Sequence, residues 1–145
     1  MGYRPMDEAT IAQLRNFVDR LNTESKKGSV IVVEGKRDVE ALTRIGCTGH
    51  VMALNRFKGI NNFVDSQCAI DRKIILLLDM DRTGKYLTSK LMKQLQSRGG
   101  NVCLFYKKSL ARISNGKVRH VEDLISYAPL LSGITSSRKD LFMYI

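Results

Sequence analysis

Glu34 closes the apolar run Val30-Ile31-Val32-Val33, and a second apolar run, Ile74-Ile75-Leu76-Leu77-Leu78, leads into Asp79-Met80-Asp81-Arg82-Thr83-Gly84. Carboxylates at the C-terminal ends of two buried strands stand where an open α/β sheet forms its ligand crevice. Acids gathered there repel one another unless a divalent cation such as Mg²⁺ sits among them on hard oxygen ligands, with waters free for a phosphate. The chemistry this arrangement supports is performed on phosphodiesters. Asp79 and Asp81, two residues apart, leave their strand in nearly the same direction and can reach one cation. Capping of the following helix is their other use, and the two roles are compatible. An ionised Glu34 at the end of a buried strand must have a partner or shift its pKa.

The residues around these acids are basic. Lys36 and Arg37 follow Glu34, and Arg82 and Lys85 follow the aspartates, placed either to neutralise a phosphate or to stand as solvated charges. Gly84 permits close backbone approach at the turn into a helix whose N-terminal amides can hold a phosphate, or it is an ordinary turn glycine. The formal net charge is +10, and its placement says more than its size. No acid falls within residues 82 to 121, whereas ten of the 24 basic residues do, including Lys107, Lys108, Arg112, Lys117 and Arg119. A one-sided field that begins just after the acid pair suits a polyanion, a nucleic acid above all.

Alternating patterns supply the elements that hold these residues. Ile11, Leu14, Phe17, Val18 and Leu21 recur at helical spacing over 7 to 24. The run 29 to 34 is apolar throughout, as a strand covered on both faces requires. A short helix from Arg37 to Ile45, a strand from Val51 to Leu54 and a helix near 60 to 68 follow. Lys73 to Leu78 is the third strand, Thr83 to Ser97 a helix closed by Gly99-Gly100, and Asn101 to Tyr106 the fourth strand. Asn115-Gly116 between Ile113 and Val118 predicts a two-residue hairpin turn. Val121 to Leu131 reads as a helix opening on Glu122-Asp123, and the tail 132 to 145 either adds an edge strand or docks on the sheet. Strands alternating with helices imply right-handed crossovers and a mainly parallel sheet, an α/β fold of Rossmann-like kind.

Val-Glu-Gly-Lys-Arg-Asp at 33 to 38 together with Asp-Met-Asp-Arg-Thr-Gly at 79 to 84 resembles the Toprim domain of bacterial-type primases, type IA and type II topoisomerases, overcoming-lysogenization-defect nucleases and the ribonuclease that matures 5S ribosomal RNA. The resemblance covers about residues 28 to 130 and is nearest to small free-standing Toprim proteins. It implies a four-stranded sheet of order 2-1-3-4, which makes the first and third strands neighbours and sets Glu34 beside Asp79. It further implies that Glu34 acts as general acid or base or as a metal ligand, and that Asp79 and Asp81 hold Mg²⁺ or Mn²⁺. Glu122 would complete a second metal position, although helix-dipole preference alone accounts for acids in a first turn. Asp38 is the N-cap of its helix or an outer-shell residue. His120 is a surface residue or an aid to proton transfer.

At 145 residues the chain is expected to be one domain, with an N-terminal helix, a Toprim core and a C-terminal tail. There is no room for the separate tyrosine gate of a topoisomerase or the zinc module of a primase. Cys47, Cys68 and Cys103 match neither a zinc pattern nor a disulfide framework and suit a reducing cytoplasm. No stretch approaches the length of a membrane span. Two readings remain open. One is a metal-dependent nuclease on nucleic acid, RNA favoured over single-stranded DNA. The other is a non-catalytic Toprim module that holds nucleic acid or a protein partner within an RNA-processing or DNA-maintenance complex.

Overall fold

In the computed structural model, which describes residues 7 to 131, a four-stranded parallel sheet runs in the order β2-β1-β3-β4. Its strands are β1 (Val30–Val33), β2 (Val51–Ala53), β3 (Lys73–Leu76) and β4 (Asn101–Cys103). The helices are α1 (Glu8–Lys26), α2 (Lys36–Arg44), α3 (Ile60–Cys68), α4 (Arg82–Ser97) and α5 (Phe105–Ile113). Register pairs Ile31 with Val51 on one side of β1 and with Ile75 on the other.

Both faces of the sheet are covered, which is why β1 and β3 are apolar without alternation. Ile31, Val33, Ile75 and Leu77 pack with Leu14, Phe17 and Leu21 of α1, Leu42 of α2 and Leu110 of α5. Val30, Val32, Ile74, Leu76 and Leu78 pack on the opposite face with Phe63 of α3 and Leu91 and Leu95 of α4. All four residues of β1 are fully buried. Leu77 and Leu78 lie past the β3 ladder but stay fully buried, and the Leu77 N–H still donates to the Val32 carbonyl at 2.8 Å. The core therefore runs right up to the acids.

Three local expectations are corrected. The fourth strand stops at Cys103 and the chain turns into α5, because Tyr106, Ser109 and Leu110 recur at helical spacing and bury one face. Asn115-Gly116 makes no hairpin: it ends α5. Both residues take left-handed φ, 54° and 76°, as a type I′ turn would also need. Here the Gly116 N–H donates to the Ala111 carbonyl and the Asn115 N–H to that of Arg112, the paired bonds of a Schellman exit. Val121–Tyr127 is a 3-10 helix rather than an α-helix, with α-helical geometry only from 128 to 131. The tail 132 to 145, expected either to add an edge strand or to dock on the sheet, lies outside the described residues.

Candidate metal centre

Glu34 follows β1 directly, and Asp79 follows Leu78 just past the end of the neighbouring strand β3. The Asp79 N–H donates to Glu34 Oε2 at 3.0 Å, so the backbone of one strand holds the carboxylate of the other. The acid turn itself is clamped from three directions. Lys107 Nζ, on α5, donates to the carbonyls of Leu78 and Asp79 at 2.7 Å each. The Met80 N–H donates to the Arg119 carbonyl at 2.6 Å. The Val121 N–H donates to Asp79 Oδ1 at 2.7 Å.

Asp81 is the N-cap of α4, its Oδ1 accepting the Gly84 N–H at 2.7 Å. Its Oδ2 lies 3.1 Å from Nε2 of His120, whose Nδ1 lies 3.5 Å from Oδ2 of Asp123. Gly84 packs flat against the acid turn. A Cβ there would fall 2.0 Å from the Asp79 carbonyl oxygen, so any side chain would push α4 off the turn. Asp38 is not the N-cap of α2 that the sequence suggested: Gly35 takes that position, and Asp38, the third residue of the helix, reaches back so that its Oδ2 accepts the Gly35 N–H at 3.0 Å.

Electrostatics separate the acids. Burial raises the Glu34 pKa; the Asp79 N–H opposes this, and the charges of Asp79, Asp81 and Asp38 reinforce it, leaving it above the ordinary range. Burial likewise raises Asp79 against the pull of the Val121 N–H and of His120. Asp81 is lowered, first by the Gly84 N–H and then by His120. Burial acts to lower His120, but Asp81, Asp79 and Asp123 outweigh it and the imidazole is raised. Lys107 is lowered by burial, with the three acids opposing.

An oxygen each of Asp79 and Asp81 and a ring nitrogen of His120 all lie within 4.8 Å of one another. Ligands about 2.0 to 2.6 Å from a shared cation have mutual distances of that order. Two carboxylates and an imidazole, with the half-buried carboxylate of Glu34 alongside, form a donor set that fits a divalent ion. An open groove of about 700 Å³ reaches Glu34 and Asp79 past Lys36, Arg37 and Asn55, with Glu122 in its wall. Burial raises the Asp38 pKa against the pull of the Gly35 N–H, and the charges of Asp79 and Glu122 add to the rise while the Glu122 N–H opposes it; the Glu122 charge adds in the same sense at Asp79, after burial.

The sequence-predicted basic residues divide. Lys85, Lys107, Lys108 and Arg119 line a second groove of about 510 Å³ around Met80, between the two aspartates. Arg82 is exposed at the start of α4, and Lys117 is exposed on the loop after α5. Arg112 instead lines a cavity of about 200 Å³ between α1 and α5. His120 and the tether role of Lys107 were not legible locally, because their partners lie 39 and 28 or 29 residues away. The Cys47 thiol is buried and its pKa is pushed up to about 12, which makes it inert. No helix among the described residues is long and apolar enough to cross a membrane.

The family model described as Toprim domain matches residues 29–113. A UPF0292 protein of Methanosarcina barkeri is 31% identical over 121 residues, covering 83% of this chain and 84% of its own. A UPF0292 protein of Archaeoglobus fulgidus is 30% identical over 132 residues, covering 91% of this chain and 96% of its own. Among solved structures, a protein from Aquifex aeolicus superposes with a TM-score of 0.64 at 27% identity, over 82% of this chain and 99% of that one.

Proposed function

Because the chain belongs to the Toprim domain family, with the UPF0292 proteins of archaea among its relatives, we propose that it is a Mg²⁺- or Mn²⁺-dependent phosphodiesterase acting on nucleic acid, RNA in preference to DNA. The observation that carries this reading is the juxtaposition of the Asp79, Asp81 and His120 ligand atoms beside a half-buried Glu34 at the mouth of an open groove.

Asp79, Asp81 and His120 would hold one cation, and Glu122, across the groove, would contribute to a second position. A bound divalent ion supplies Lewis-acid neutralisation of the phosphodiester oxygens. Glu34 keeps Oε2 on the Asp79 amide and offers Oε1 to the proton of an attacking water. Its raised pKa brings it nearer the pH at which it must exchange that proton. Lys36 and Arg37 face the same groove and offset the charge of the flanking phosphate. Arg82, Gly84 and Lys85 form the first turn of α4 directly after the Asp81 cap, with Lys107, Lys108 and Arg119 beside Lys85 guiding the polymer. Arg112 and Lys117 add to the field at longer range.

The deciding experiment incubates the purified protein with labelled structured RNA and with single-stranded DNA, in Mn²⁺ or in a chelator. Cleavage that disappears with the chelator and with Asp79→Asn supports the enzyme. Metal binding and RNA binding without cleavage would replace it with a non-catalytic module.

A further inference from the structure

Among the described residues, the exposed large apolar side chains are Ile70, Tyr86, Phe105 and Ile125. Phe105 is partly covered by the Arg20 guanidinium, 4.8 Å from its ring centroid. Tyr86 is the most exposed of the four, at 61%, and it stands in the first third of α4. Helical periodicity sets Arg82 one turn before it, Lys90 one turn after it and Lys93 beyond, all exposed on one face. The Lys90 ammonium lies 5.8 Å from the Tyr86 ring centroid. The helix carries no acid, and the stripe begins beside Asp81, which caps it. From Arg82 to Lys93 it spans about 16 Å.

An exposed tyrosine spaced between cations has no core to serve. Aromatic faces flanked by backbone-tracking cations are how proteins hold single strands, whose unpaired bases stack. A duplex offers the same phosphates but keeps its base faces covered. We propose that the exposed face of α4 is a track for single-stranded nucleic acid, with one base stacked on Tyr86 and the backbone running along Arg82, Lys90 and Lys93 toward the acid turn. The track rests on the phosphodiester reading for its polymer class, and it deepens that reading by selecting single strands.

Binding can be separated from cleavage by working in chelator with all acids intact. Anisotropy of a labelled octameric oligoadenylate RNA would be compared with an abasic strand of equal charge and with a duplex, for the wild type, Tyr86→Ala, Tyr86→Leu and Tyr86→Phe. The expected result is a loss of about 5- to 100-fold on the base-bearing single strand for Ala and Leu. Phe should bind as the wild type does, and the abasic strand and the salt slope should be unchanged throughout. Leu preserves bulk, so its loss separates stacking from folding, and thermal melts of all four proteins check the fold. Unchanged affinity in Tyr86→Ala, equal losses on the abasic strand, or no single-strand binding by the wild type would each overturn the track. A protein that binds in this Tyr86-dependent way but never cleaves leaves the track standing and removes the nuclease.

Discussion

Glu34 and Asp79, beyond the C-terminal ends of neighbouring strands and 45 residues apart in sequence, are joined by one hydrogen bond from the Asp79 amide to the Glu34 carboxylate. The bond holds Glu34 in place without neutralising it, since the donor carries no full charge. Burial and three neighbouring carboxylates leave Glu34 harder to ionise than usual. The site is thus electrostatically uncomfortable without a cation.

Replacing Glu34 by Gln keeps an acceptor for the Asp79 amide and removes the charge. Because the folded pKa of Glu34 is raised, its stability contribution is complete below the ordinary glutamate pKa and is lost as pH rises through the folded value. Without metal, Glu34→Gln should therefore melt a few degrees above the wild type at pH 7, with the gap closing toward about pH 4. Melts that show a constant gap, or a less stable variant at pH 7, would remove this account.

His120 brings nitrogen into an otherwise oxygen-based donor set, and imidazole suits transition ions more than Mg²⁺. We expect His120→Ala to weaken Mn²⁺ or Co²⁺ binding roughly tenfold and Mg²⁺ binding less. Titration calorimetry with each ion is the measurement. Equal losses for all would mean that His120 only orients Asp81.

Gly84→Ala should cost at least about 2 kcal/mol, because its Cβ meets the backbone oxygen of Asp79, which cannot swing away as a flexible side chain can. Denaturant unfolding of the metal-free protein reads this directly. A loss below about 0.5 kcal/mol would mean that α4 can shift without disturbing the turn.

Lys107 and Lys108 are adjacent yet should behave differently. Lys107→Met leaves two carbonyls of the acid turn without their donor and should lose about 1 to 3 kcal/mol, whereas Lys108→Ala should stay within about 0.5 kcal/mol. Matched unfolding curves for the pair would show instead that both are surface charges.

If about five phosphates are contacted, log affinity for nucleic acid should fall against log salt with a slope of roughly −3.5 to −4.5. A flat response would rule out the basic residues as the source of affinity.

How much of this was written in the chain depends on the range over which each signal acts. The apolar runs before Glu34 and Asp79 give their strands directly, because full burial on both faces leaves no other pattern. The helix α5 escaped because Leu104-Phe105-Tyr106 prolongs the apolar run of β4, so one stretch satisfied two periods. Asn115-Gly116 specified its backbone angles correctly, but two left-handed residues serve a helix exit as well as a hairpin. Parallel pairing and the 2-1-3-4 order came from the alternation of elements and from family resemblance, not from any single residue. His120 could not be placed at all from its neighbours, since what defines it is Asp81 on another element.

The strap from Arg119 to Val121 carries a consequence for how the site comes into being. Its carbonyl and amide secure Met80 and Asp79, some forty residues earlier in the chain. A loop of that length must close before the clamp forms, so the ligand turn gains these bonds only when the strap docks. Ligand competence and the docking of the strap should then be gained and lost together. Native-state hydrogen exchange tests this at two amides, Met80 and Val121, which should open with one shared free energy; independent opening would show that the turn holds its shape without the strap.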